Sequence, residues 1–243
     1  MSGLWIRDLD APAPLRELFQ LDLSGGEMAF TYLGWAGIVL RTREHAVALD
    51  LCQKNITRAE IKQIAELNVQ CYGHTHWDHW HPPHAKALLK QTAAPILVEP
   101  AVVEERGSIP EKDLRAVTPG SPVEIGDVTV TGAVGVHPRP ITMFHIEMPK
   151  LRLFHGGDSG HVPVTHLPAD IAFVPTGVPS PSCSPESAVA MARDVGASIV
   201  VAVHGSDENM DDFRTLAASE LPGVELVIPH PCQLVTLSLP GRA

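Results

Sequence analysis

Several features that would assign this chain to a familiar class are missing. It has no run of Lys and Arg that could follow a phosphate backbone; 18 basic residues face 28 acidic ones, for a net charge of −10 with histidines neutral. Nucleic acid is therefore a poor expectation as a partner. The four cysteines, Cys52, Cys71, Cys183 and Cys232, are scattered and form no C-x-x-C pair. That spacing suggests neither a zinc knuckle nor a small disulfide framework, and it fits reduced thiols in a cytoplasm. The N-terminus lacks a basic segment followed by an apolar one, and no apolar run approaches the roughly 20 residues that span a bilayer. A soluble, cytoplasmic protein with no membrane partner is expected. No short-period repeat, low-complexity block or long Gly/Ser linker interrupts the chain. With 243 residues and 44% hydrophobic residues, it can bury a large core. The expectation is one domain, 1–243, with residues 1–27 as an N-terminal lead-in.

What the sequence does have is a dense group of metal-binding side chains. In Gly73-His74-Thr75-His76-Trp77-Asp78-His79, three imidazoles and a carboxylate fall within six residues. The apolar stretch 68–72 before them reads as a strand, and Gly73 permits a tight exit from it. A loop leaving a rigid strand can aim neighbouring side chains at one point. Lone pairs gathered there need proton donors or a metal, and a divalent cation satisfies them together. One such histidine alone would be an ordinary surface or core residue; the spacing after a buried strand is what favours an ordered site.

The rest of the chain alternates in character. Strands are expected at 28–33, 38–42 and 46–51, then a helix at 57–67 capped by Thr57, because Ile61, Ile64, Ala65 and Leu67 fall at helical spacing. Pro82-Pro83 opens a helix to about Gln91. A strand at 96–98 and a short helix at 101–106 follow. The pattern then turns to β: 114–117, 122–125, 128–134, and a hairpin of 142–148 with 152–155 around Pro149-Lys150. Strands at 171–174, 198–203, 224–228 and 234–239 alternate with a helix from Ser184-Pro185-Glu186 to Val195, stopped by Gly196, and another near 211–220. The order is β-rich, α/β, β-rich, α/β. It predicts an α/β chain built as an αββα sandwich of two mixed sheets, with helices on the outer faces.

Three more metal-binding residues, His137, Asp158 and His204, stand directly after expected strands. Together with the first loop they resemble the metallo-β-lactamase superfamily, whose signature is H-x-H-x-D-H followed in order by His, Asp and His. The resemblance runs from about Phe30 to about Ile228. Thr31-Tyr32-Leu33-Gly34-Trp35-Ala36-Gly37, Leu49-Asp50, Gly156-Gly157-Asp158-Ser159-Gly160 and Val203-His204-Gly205 are similar to the branch of L-ascorbate-6-phosphate lactonases and N-acylphosphatidylethanolamine phospholipases D.

The resemblance implies that His74, His76 and His137 hold one metal, that Asp78, His79 and His204 hold another, and that Asp158 bridges them. Asp78 and Asp158 would be catalytic as well as ligating. Asp50 would orient the loop from beneath. The nitrogen and carboxylate donor set suits zinc first, and also manganese, iron or nickel. A dinuclear metal-dependent hydrolase is implied, using a metal-bridging hydroxide to cleave an ester, lactone or phosphoester of a small molecule. Two alternatives stand beside it: a phosphodiesterase or nuclease, and a non-hydrolytic metal-binding regulatory protein of the same fold. The chain departs from the branch at Trp35, where His is common, and at Asp50-Leu51-Cys52, where Asp-Pro is common. His81 and His84 are expected on a loop or helix surface; His155, His161 and His166 flank Asp158 and are expected as solvated loop histidines, with His161 as a cleft-lining general acid the alternative. Arg139 would be a surface residue or a partner for a substrate anion, and Trp77 and Trp80 loop packing or cleft walls. The expected partners are a small-molecule substrate and, in a homo-oligomer, further copies of this chain.

Overall fold

The structure is a computed structural model that describes residues 3–239. It divides into two compact units, Ile6–Thr118 with His230–Ala243, and Met1–Trp5 with Pro119–Pro229.

In the unit containing the histidine-rich loop, helix α1 (Leu15–Gln20) precedes strands β1 (Glu27–Tyr32), β2 (Ile38–Thr42) and β3 (Ala46–Leu49). Helix α2 (Arg58–Ile61) leads to β4 (Val69–Tyr72), and α3 (Pro82–Thr92) to β5 (Ile96–Val98); a 3-10 segment (Pro100–Glu105) and β6 (Leu114–Ala116) follow. The first three strands pair antiparallel, whereas β3, β4, β5 and β6 run parallel. Parallel neighbours need a covered crossover, which α2 and α3 supply. Leu15, Leu18, Val39, Ile56, Ile61, Ile64 and Leu88 share one buried cluster. Each fully buried aliphatic side chain of this kind contributes about 1.5–3 kcal/mol.

The helix expected at 57–67 is a correction. Only Arg58–Ile61 is helical, behind a Thr57 capping box, and the chain then continues through turns. Glu60 is drawn into a buried ion pair with Arg7, which also bonds the Asn55 carbonyl at 2.8 Å. Ile61, Ile64 and Leu67 still reach the core, so the apolar spacing is satisfied without a helix. The expected helix at 101–106 is the 3-10 segment.

In the other unit β7 (Val123–Ile125), β8 (Val128–Val134), β9 (Thr142–Met148) and β10 (Leu151–His155) form an antiparallel meander. Strand β11 (Ile171–Pro175), helix α4 (Pro185–Val195), β12 (Ile199–Val203), α5 (Asp207–Glu220) and β13 (Glu225–Val227) continue in parallel from β10. Helix α4 is bounded as expected, by the Ser184 cap and by Gly196 in the left-handed region. Residues 3–5 of the lead-in belong here: Leu4 bridges Ser206, Trp5 N donates to the Gly205 carbonyl at 2.9 Å, and its indole to Asp207 at 2.8 Å. Strand β14 (Leu234–Ser238) pairs antiparallel with β1 in the first-described unit. Each sheet thus has seven strands, ordered β14-β1-β2-β3-β4-β5-β6 and β13-β12-β11-β10-β9-β8-β7. Among the described residues no helix is long and apolar enough to cross a membrane.

Candidate functional site

Side chains are most easily gathered where parallel strands end and their connections diverge. In the first-described unit that place follows β3 and β4. Asp50 directly follows β3 and Gly73 begins the loop after β4. His74 and His79 are fully buried and Asp78 nearly so. The rings of His74 and His76 lie 4.7 Å apart by centroid, and those of His74 and His79 4.2 Å apart. His79 Nε2 stands 3.8 Å from Asp78 Oδ2. All four residues of this loop therefore converge.

The support beneath the loop is specific. Asp50 is buried with φ of 46°, in the left-handed region that side chains rarely adopt. Its Oδ1 accepts from Gly73 N at 2.8 Å and its Oδ2 lies 3.0 Å from His79 Nδ1. A proton on Nδ1 donated to this carboxylate leaves Nε2 as the basic nitrogen, turned toward the other histidines. Asn55 holds the Asp50 carbonyl at 2.9 Å and accepts from Cys52 N at 2.8 Å. A Cβ on Gly37 would stand 2.1 Å from Asn55 Nδ2, so only glycine admits this clamp. Burial pushes the Cys52 thiol up to about 12. It therefore stays protonated and donates to the Asp78 carbonyl at 3.0 Å.

The other unit repeats the arrangement with different residues. His137 follows β8, Asp158 follows β10 and His204 follows β12. His204 Nε2 is 2.8 Å from Asp158 Oδ1, with both side chains buried. His204 Nδ1 lies 3.4 Å from the Gly177 carbonyl, and His137 Nδ1 3.1 Å from the Asp158 carbonyl. Ser180 donates to that same carbonyl at 3.0 Å and lies 3.5 Å from His137 Nδ1. Here again Nδ1 faces an oxygen acceptor. With Nδ1 protonated, Nε2 of His204 meets a carboxylate oxygen, so their contact requires either a second ring proton or a shared cation. The donor set, with Nδ1 of three rings turned to oxygens, fits a divalent metal.

Other histidines are placed elsewhere. His84 is 6% exposed, against the expectation of a surface position, and its ring pairs with His81. His161 lies 3.0 Å from Asp194, which anchors its loop to α4. Trp80 is buried against Tyr72 and donates to the Glu105 carbonyl at 3.0 Å; it packs the loop. Trp77 is exposed. Sequence reasoning passed over Asn55 and Ser180 and gave Cys52 no role, because nothing local marks a residue whose task is to hold another residue's carbonyl.

The profile of a family described as the β-lactamase superfamily domain matches residues 29–204, from within β1 to His204. The chain belongs to the metallo-β-lactamase superfamily. Its α/β fold with two mixed seven-stranded sheets is that superfamily's sandwich fold. Solved structures of the superfamily fold agree. The metallo hydrolase Igni18 from the hyperthermophilic archaeon Ignicoccus hospitalis is 15% identical, with a TM-score of 0.72 over 88% of this chain and 100% of that one. The metallo-β-lactamase fold protein YhfI from Bacillus subtilis is 16% identical, with a TM-score of 0.66 over 87% and 99%. CmlA, a diiron β-hydroxylase from Streptomyces venezuelae, is 13% identical, with a TM-score of 0.67 over 89% of this chain and 55% of its own length. No curated protein matches the sequence. Hydrolysis and hydroxylation share this superfamily fold, so the chemistry must be argued from the site.

Proposed function

We propose that this chain is a metal-dependent hydrolase that cleaves an ester, lactone or phosphoester bond of a small molecule. In this reading His74, His76 and His137 hold one divalent cation, Asp78, His79 and His204 hold another, and Asp158 is shared. The observation that carries it is a common ring orientation: His79, His137 and His204 each turn Nδ1 to an oxygen, the arrangement metal-ligating histidines need. The cation pair would supply a nucleophile near neutral pH and a Lewis acid for the electrophilic oxygen.

The chain's own groups do the rest. Asp50 fixes the His79 ring and Ser180 the Asp158 backbone. Asp78, held at its carbonyl by Cys52, offers a carboxylate that can accept a hydrogen bond from attacking water and keep it in line. Zinc is the first expectation, with manganese, iron and nickel as alternatives, because nitrogen and oxygen donors discriminate little among them. The four free cysteines support a reducing, cytoplasmic setting. The acidic composition favours a small-molecule substrate over nucleic acid, and the lactonase-like sequence stretches favour an ester or lactone.

Elemental analysis of purified protein, followed by a substrate panel on the same preparation, tests this. His76→Ala and Asp158→Ala should lose bound metal and turnover, whereas His81→Ala should keep its metal. Normal turnover by metal-depleted Asp158→Ala protein would falsify the mechanism. Turnover of bis-p-nitrophenyl phosphate but of no ester or lactone would make it a phosphodiesterase, and metal binding without any turnover a regulatory protein.

A further inference from the structure

Trp77 lies between two proposed ligands, His76 and Asp78, yet the residue is 53% exposed. An indole left partly in water contributes little to packing, and Trp is enriched at contact surfaces, where one end of the ring system is apolar and the other wet. Its ring meets Trp35 edge-on, with centroids 5.5 Å apart and planes at 78°. Trp35 itself is only 8% exposed and has φ of 55°. A bulky residue in that region costs about 1–3 kcal/mol, so its surroundings must hold it. The Tyr32 hydroxyl donates to the Trp35 carbonyl at 2.9 Å, and Gly37 N to the Gly34 carbonyl at 2.9 Å. Trp35 is a fixed backstop for Trp77.

A cation completes the patch. Lys54 Nζ sits 5.1 Å from the centre of the Trp77 ring. Its backbone is tied to the loop: Lys54 N donates to Cys52 Sγ at 3.3 Å, and that thiol donates to the Asp78 carbonyl. Among the described residues the Lys54 ammonium has no carboxylate partner, in a chain with ten more acidic charges than basic ones. An exposed cation–π contact alone is worth only about 0.5–1 kcal/mol, so stability does not account for the arrangement. An indole face joined to an uncompensated ammonium is complementary to a planar or apolar group bearing an anion.

We propose that Lys54 and Trp77, backed by Trp35, form the substrate-recognition patch, selecting small molecules that carry a carboxylate or phosphate beside an apolar moiety. This rests on the hydrolase reading for its location but not for its measurement. Lys54 and Trp77 are specificity residues here, with no part in the bond-breaking step.

The test uses phenylacetate and its neutral counterpart phenylacetamide with metal-depleted protein carrying 15N-labelled tryptophan. The Trp77 indole signal, assigned by its loss in Trp77→Phe, should shift and saturate with phenylacetate. Lys54→Gln should weaken that binding about tenfold, the size expected for losing one hydrogen bond to a charged group, and Lys54→Arg should preserve it. Phenylacetamide should not distinguish wild type from Lys54→Gln. Equal phenylacetate binding by wild type and Lys54→Gln, or no shift of the Trp77 signal in wild type, overturns the proposal. A second arm compares metal-loaded proteins on p-nitrophenyl hemisuccinate and p-nitrophenyl butyrate. Lys54→Gln should raise KM for the anionic ester alone and leave kcat unchanged; equal KM changes for both esters also count against the patch. If neither ester is cleaved by wild type, the hydrolase reading suffers, and the tryptophan titration still decides the patch.

Discussion

Asp50 uses both carboxylate oxygens, one on the Gly73 amide and one on the His79 ring. Both partners are donors, so the position demands an acceptor on each side. Asn provides only one; its amide nitrogen would face either the Gly73 N–H or the His79 Nδ1–H, donor against donor. Asn tolerates the left-handed region, so Asp50→Asn tests the hydrogen bonds rather than the backbone. We expect metal affinity to fall by about 10- to 100-fold, the usual cost of losing a partner behind a ligating histidine. Competition with a calibrated chelator measures this directly. Unchanged affinity would mean that Asp50 does not support the loop. The role of Asp50 was legible in the sequence only through resemblance. The Asn55 clamp and the Cys52 thiol were not legible, because both act on backbone atoms whose positions depend on strand neighbours.

At the scale of elements, local chemistry was readable and distant chemistry was not. Helix α4 begins and ends where Ser184, Pro185 and Gly196 place it, and the β9–β10 hairpin closes around Pro149-Lys150, because the deciding residues are adjacent. The stretch after Thr57 misled because Glu60 bonds Arg7, far away in the sequence, and Ile64 and Leu67 reach the core from irregular chain. Helix α3 shows a further consequence of placement. His81 is its N-cap and His84 lies in its first turn, where no acid offsets the dipole. Burial pushes His84 down to about 4, with the His81 and Arg58 charges adding to the effect. A positive charge there would also face the positive end of the helix. His84 is therefore neutral when folded, while unfolded chains take up its proton below the ordinary value of 6.5. The unfolded state binds more protons across that window, so stability should fall as pH drops from 6.5 toward about 4. His84→Gln should flatten this part of the pH profile in thermal melts. A slope identical to wild type would show that His84 does not titrate as described.

For the whole molecule, the proposed ligand set draws on loops that follow β4, β8, β10 and β12, separated in sequence by most of the superfamily match. Such a set exists only in the folded chain, so a metal bound by it must stabilise that state against the unfolded one. At free metal 100 times Kd the gain is about 2.7 kcal/mol. For a chain of this size, about 2–4 °C per kcal/mol converts this to roughly 5–11 °C. Calorimetry of chelator-treated protein should give a melting temperature lower by that order, restored by added zinc or manganese. His76→Ala, lacking a ligand from one set, should respond much less, and His81→Ala as wild type does. A loosely held surface ion would be displaced without moving the transition. If saturating metal leaves the melting temperature of wild-type protein unchanged, the seven side chains do not form the centre proposed for them, whatever the fold.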